Sequence, residues 1–277
     1  MGKRTRVGGR GAVVGGGLGT VIVVIAVALL SGGRVDLSSM LGDGSAAENV
    51  GTVGQCSADQ ANTDRECRLS AAIDSLDTYW DANVEGASTH PKVWEFSDST
   101  DTGCGTANSS TGPFYCPPDQ AIYLDLGFFD QLSTQFGARG GPLAEMYVIA
   151  HEYGHHIQQI AGVMDRAERD GAGSTSDSVR VELQADCYAG LWAGHAAKTA
   201  DPDTGVTYLE PISDDELSEA LDAAAAVGDD HIQEQSGGGV NPDTWTHGSS
   251  AQRQKWFTIG YEKGTLAACD TFSAKSL

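Results

Sequence analysis

His151, Glu152, Tyr153, Gly154 and His155 constrain this chain more than any other stretch, because they demand a particular backbone. Two histidines four residues apart share one face only on an α-helix, where both imidazoles can then reach a single metal ion. Glu152 stands one residue on, placed to polarise a metal-bound water without being a ligand. The run Pro142-Leu143-Ala144-Glu145-Met146-Tyr147-Val148-Ile149-Ala150 leads straight into the motif. Pro142 suits a first helical turn, and Met146, Ile149, Ala150, Tyr153, Ile157 and Ile160 continue an apolar stripe that stops near Gly162. A buried helix of about five turns carrying the histidines is therefore expected.

The remainder of the chain divides by composition. Lys3, Arg4, Arg6 and Arg10 precede an uncharged run from Gly11 to Gly33, whose densest part is Val21–Leu30. We read residues 1–10 as a cytoplasmic basic tail, 11–33 as a transmembrane signal anchor and 34–55 as a flexible stalk. Residues 56–277 form the remaining domain. This makes a single-pass cell-membrane protein with its C-terminal domain extracellular or periplasmic. Ala26-Val27-Ala28 leaves cleavage, and hence secretion, as the alternative. The domain carries 12 basic and 35 acidic residues, a balance that argues against nucleic acid as a partner. Six cysteines in an exported chain imply disulfides. Sequence-local pairing joins Cys56 with Cys67 and Cys104 with Cys116, which leaves Cys187 with Cys269, one of fifteen possible connectivities.

Hydrophobic periodicity predicts a helix over 64–84, a strand over 93–96 and a second strand over 121–126. Between them, 97–112 is polar and reads as a loop. After the motif helix come a polar loop over 165–177 and a helix capped by Ser178 and running to about Lys198. A helix over 214–227 follows, opened by a Ser213/Glu216 capping box, and a last helix spans about 250–263. The fold class is α+β, mostly helical, with a small β-sheet or hairpin.

A catalytic zinc takes three protein ligands and keeps one position open. A third histidine in the extended HExxHxxGxxH pattern is ruled out, because Gln158 and Ala161 occupy the required positions. The helix around Val179–Ala189 offers Glu182 and Asp186, which share a face four residues apart. Glu182 then completes the metal set with His151 and His155, while Asp186 is expected to accept the other ring N–H of a ligand histidine, His151. His156 points about 100° away from His155 and is no ligand. His90, His195, His231 and the Gln158-Gln159 pair carry no partner at ligand spacing and are background.

These residues resemble the gluzincins, HExxH peptidases whose third ligand is a glutamate. Within them, the chain is most similar to the bacterial neutral zinc metallopeptidase family. The resemblance covers about residues 50–275. It rests on Gly112-Pro113-Phe114-Tyr115-Cys116-Pro117, on Ile122–Leu126 with Phe128-Phe129, on the HEYGHHIQ and ELQAD runs and on His247-Gly248-Ser249-Ser250-Ala251-Gln252-Arg253. The late block also resembles the histidine-plus-arginine motif of membrane CAAX-type metallopeptidases. That likeness implies that His247 stabilises an oxyanion and that Arg253 pairs with an acidic residue such as Asp186. The family implies a zincin-like domain that hydrolyses a peptide or protein substrate with Zn²⁺ and with Glu152 as general base. It also implies that an edge strand, for which residues 121–126 are the candidate, holds the substrate. The competing reading is a catalytically inactive, membrane-tethered zinc-binding scaffold, which would have no need of Glu152.

Overall fold

The computed structural model describes residues 56 and 58–277, apart from 170, 204 and 238. In chain order the elements are α1 (Ala58–Thr63), α2 (Arg65–Asn83), β1 (Lys92–Phe96), β2 (Ser99–Thr102), β3 (Gly105–Asn108), β4 (Phe114–Cys116), β5 (Ala121–Asp125), α3 (Gly127–Thr134) and α4 (Pro142–Ile160). They are followed by α5 (Val163–Arg166), α6 (Asp177–Ala196), α7 (Asp214–Ala226), α8 (Asp229–Gln235) and α9 (Ser250–Lys263). The class is mixed α+β with a small sheet. Among the described residues no helix is long and apolar enough to cross a membrane. The anchor expected over 11–33 lies outside the described residues.

The helices begin and end where local chemistry dictates. Asp64 caps α2 by accepting the Cys67 backbone N–H, and α4 opens with Pro142 in its first turn. Gly162, in the left-handed region at φ 65°, follows the end of α4. The Ser213/Glu216 capping box opens α7 as expected, and a second one, Ser249/Gln252, opens α9. The cap of α6 is a correction. Ser176, not Ser178, accepts the Val179 N–H, because Ser178 lies inside the first turn and donates its hydroxyl to the carbonyls of Arg169 and Gly171.

Two corrections concern the sheet. Residues 97–112 are not all loop, since β2 and β3 pair there as an antiparallel hairpin. Only Ala107 of the hairpin is buried, so the strands lack the apolar alternation that would announce them. The second concerns 121–126, expected at an edge. The three-stranded sheet has the order β1-β5-β4, so β5 is the central strand, parallel to β1 and antiparallel to β4. All five β5 residues are buried, as in a strand covered on both faces. Tyr115, Ile122 and Leu124 belong to the main core beneath the helices. Phe96, Phe114, Cys116, Ala121 and Tyr123 belong to a smaller outer core with Cys104 and Ala107 of the hairpin region.

The three disulfides are Cys56–Cys67, Cys104–Cys116 and Cys187–Cys269, the pairing that sequence proximity predicts. Cys104–Cys116 ties the hairpin to β4. Cys187–Cys269 ties α6 to the C-terminal segment.

Around this sheet, α4 packs on α2, α6 and α7, and α6 packs most extensively on α9. Glycines permit the close approaches. A Cβ on Gly190 of α6 would stand 2.0 Å from the Phe257 carbonyl oxygen of α9. Gly154, inside the histidine motif, does the same for α4 and α6. A Cβ there would stand 3.2 Å from the Ala185 backbone, so only glycine lets the two helices close without a shift. That contact brings the ELQAD face of α6 onto the histidines.

Candidate metal centre

His151 and His155 project from one face of α4, with ring centroids 4.8 Å apart, and Glu182 faces them from α6. One ligand-type atom from each of the three lies within 4.8 Å of the others, so this group can hold a metal ion. Glu182 Oε2 is 3.2 Å from His151 Nε2, and Oε1 is 3.6 Å from His155 Nε2. All three side chains are buried.

The site's charges fit a cation. His155 Nε2 and both carboxylate oxygens of Glu152 are buried without a hydrogen-bond partner. Buried polar atoms are seldom left so, because each forfeits its hydration. Burial, reinforced by the Glu182 charge, pushes the Glu152 carboxyl up to about 8; His151 acts the other way. The backbone N–H of Tyr115 on β4 also favours ionisation, although it falls short of a formed hydrogen bond. Burial holds the His155 imidazole down, to about 4. For Glu182, burial acts upward but the imidazoles of His155, His151 and His247 override it and bring the carboxyl to about 2. For His151, burial acts downward and Asp186 with Glu182 outweighs it, taking the imidazole up to about 9. Two imidazoles, one ionised carboxylate and a second carboxylate beside them form a donor set suited to zinc.

Behind the ligands lies a buried charge network. Asp186 Oδ1 accepts from His151 Nδ1–H at 2.8 Å. Arg253 grips the same carboxylate twice, from Nε and from Nη2, each at 2.9 Å. It donates also to the Val227 carbonyl. Tyr147, one turn before His151, donates its hydroxyl to Asp186 Oδ1 at 2.6 Å.

His247 sits at the rim and interacts electrostatically with Glu182. Its Nδ1 is 3.3 Å from Asp229 Oδ1. Asp229 Oδ2 meanwhile accepts the backbone N–H groups of Thr246, His247 and Gly248, which fixes the loop. Burial lowers the His247 imidazole, but Asp229 and Glu182 overcome this, and the net direction is upward.

Three contributors escape the sequence reading. Tyr147 and Asp229 bear no motif signal, and Gln158, taken as background, accepts from His155 Nδ1–H at 2.8 Å. Its position three residues after His155 was the only clue. His156 points away from the centre and donates from Nε2 to the Thr89 carbonyl. His90 lies between Asp77 and Asp81, and His195 and His231 contact the Leu191 and Phe136 carbonyls.

A helix-borne His–Glu–x–x–His pair completed by a glutamate from a second helix defines the class of centre. The chain belongs to the family described as putative neutral zinc metallopeptidase, whose pattern matches residues 1–272. It is 54% identical over 217 residues to an uncharacterised protein of Mycobacterium tuberculosis, covering 78% of this chain and 74% of that one. It is 36% identical over 274 residues to the uncharacterised protein YpfJ of Escherichia coli, covering 96% and 90%. No solved structure matches.

Proposed function

We propose that this protein is a zinc-dependent peptidase of gluzincin type, with a zincin-like catalytic domain that hydrolyses peptide bonds in a peptide or protein substrate. The observation that carries the reading is the buried, unpartnered Glu152 carboxylate beside the His151, His155 and Glu182 ligand atoms. A structural metal site has no use for such a group. Zinc held by these three residues supplies Lewis acidity and brings the pKa of a water towards ~7.

The chain's own residues do the rest. Glu152 takes the proton of the attacking water and returns it to the leaving amine, a role suited to a buried carboxyl with no hydrogen-bond partner of its own. His247, oriented by Asp229 and pushed towards its protonated form by Asp229 and Glu182, donates a hydrogen bond to the oxyanion developing on the scissile carbonyl. Asp186, anchored by Arg253 and Tyr147, fixes the ring of His151. An extended substrate pairs with β4, an edge strand whose Tyr115 backbone approaches Glu152. This replaces β5, which is flanked on both sides. Residues 11–33 anchor the chain and place the domain outside the cell membrane. The anchor reading rests on the sequence, and the three disulfides suit an oxidising exterior whether the chain is tethered or secreted.

The test is Glu152→Gln in the full-length protein, with zinc content and hydrolysis of a peptide library measured together. One zinc per chain should persist while hydrolysis falls by about 10²–10⁴-fold. Retained hydrolysis refutes the mechanism. A wild-type chain that binds zinc and cleaves nothing points to the scaffold reading.

A further inference from the structure

The two histidines of the centre are held by different chemistry. His151 donates to a carboxylate, Asp186. His155 donates to a neutral amide, Gln158, and that amide heads a chain of hydrogen bonds reaching the C-terminal segment. Gln158 Nε2 donates to the Val181 carbonyl at 2.7 Å and to Gln184 Oε1 at 3.1 Å. Gln184 Nε2 in turn donates to the Cys269 carbonyl at 3.1 Å. Gln158 is fully buried, and Gln184 is 5% exposed.

This chain has only one workable direction. The Cys269 carbonyl is an acceptor, so the Gln184 amide must present its NH₂ to it and its oxygen to Gln158. Gln158 must then turn its NH₂ towards Gln184 and the Val181 carbonyl, which leaves its oxygen facing His155. Reversing either amide would set two oxygens against each other in a buried place, at the cost of lost hydrogen bonds. An oxygen facing His155 Nδ1 requires a proton on that nitrogen. The Nε2 lone pair is therefore left bare, and Nε2, which faces Glu182 at 3.6 Å, has no hydrogen-bond partner.

Resting on the zinc reading above, we infer that Gln158 is the positioning residue of His155, and that Gln184 and the Cys269 carbonyl orient it. The C-terminal segment, tied to α6 through Cys187–Cys269, thus takes part in setting one metal ligand. The amide fixes the tautomer without placing a third carboxylate next to Glu152 and Glu182. His155 becomes the ligand preset by geometry and His151 the ligand preset by charge.

The experiment compares zinc affinity, by competition with a chelating dye, in the full-length wild type, Gln158→Met, Gln184→Met and Gln159→Met. Visible absorption of the cobalt-loaded proteins is the second readout. Gln158→Met should raise the zinc Kd by about 10–100-fold and alter the cobalt spectrum. Gln184→Met keeps the first amide but loosens it, and should raise Kd by about 3–10-fold, at or below the lower end of that range. Gln159→Met, whose side chain turns instead to Tyr115 and Pro117, should leave both readouts at wild-type values. An unchanged Kd and spectrum in Gln158→Met overturns the inference. If that variant does not fold, an unchanged Kd in Gln184→Met overturns it. Equal losses in Gln159→Met overturn it too, since they would report general damage to α4. A wild-type chain that binds no zinc overturns the functional reading itself. Zinc binding that ignores Gln158 removes only this inference.

Discussion

Replacing Arg253 with Met tests the buried charge network directly. Arg253 is 1% exposed and Asp186 fully buried, and two donors at 2.9 Å join them. Removing the guanidinium breaks a buried ion pair and leaves the carboxylate only the Tyr147 hydroxyl and the His151 N–H, a change that typically costs about 3–5 kcal/mol. For a domain of this size about 2–4 °C of Tm accompanies each kcal/mol, so the expected fall is about 6–20 °C. The assay is calorimetry on metal-free protein with chelator, because bound zinc would add its own stabilisation. The loss should depend on pH in a defined sense. Burial alone would raise the Asp186 carboxyl, but Arg253 and then His151 hold it well below its ordinary value of 3.8. A carboxyl depressed in the folded state stabilises the fold above its unfolded pKa and ceases to do so in acid. The gap between wild type and variant should thus be widest above about pH 5 and shrink below about pH 4. Asp186→Asn should be costly for the mirror-image reason, and the double variant should lose less than the two singles together by about 2–3 kcal/mol. A Tm drop under about 3 °C, or additivity within about 0.5 kcal/mol, refutes the view that the pair is a desolvated unit.

Four other outcomes follow from the same geometry. His247→Ala should lower kcat by about 10²–10³-fold while zinc content stays at the wild-type level; equal loss of zinc would make His247 structural. Removing Cys104 and Cys116 together, by Ala at both, should cost about 3 kcal/mol from a closed loop of this length. It should also raise KM, without loss of zinc, because the hairpin no longer holds β4; an unchanged KM removes β4 from the substrate site. Burial raises the carboxyls of Asp77 and Glu95, to about 6 and about 7. Groups raised in this way contribute stability below their unfolded pKa and lose it as pH rises through the folded value, so urea midpoints of metal-free protein should fall between about pH 4 and 7, and Glu95→Gln should flatten the upper part of that fall. Finally, zinc uptake at pH 7 should release about two protons per ion, read from calorimetric titrations in buffers of different ionisation heat; release below one would contradict the charge assignment.

What could be read from sequence tracks the strength of local constraint. The motif helix, its stop at Gly162, the capping box of α7 and the pairs Cys56–Cys67 and Cys104–Cys116 each depend on residues near in sequence, and each was legible; Cys187–Cys269, 82 residues apart, followed as the remaining pair. Glu182 and Asp186 were legible because unpaired carboxylates on an apolar helix demand an explanation. The β2–β3 hairpin was not, since its stability comes from a disulfide and a small outer core instead of its own pattern. The place of β5 in the sheet was hidden for another reason. An apolar run announces a strand but not its neighbours, and the parallel pairing with β1 is a long-range fact. Tyr147, Gln158 and Asp229 are ordinary residues whose importance arises only from what the folded chain sets beside them.

The network has a logic of charge that no single residue shows. Arg253 pairs with Asp186, and His247 faces Asp229, each raising or lowering the other towards the charged form. That leaves Glu152 and Glu182, both buried, to be balanced where screening is weak. In the metal-free protein protons supply the balance. Glu152, raised to about 8, keeps its own, and His151, raised to about 9, carries one opposite ionised Glu182. A divalent ion brings the same two positive charges. His151 would have to be neutral to hold such an ion and Glu152 would be left ionised as a base, so two protons would be released on loading and the buried charge would be unchanged. The carboxyl placed for proton transfer is thus the one whose proton the metal displaces. If the proposed zinc site holds, loading it would also release the proton from Glu152, which ties metal content to the state of the base.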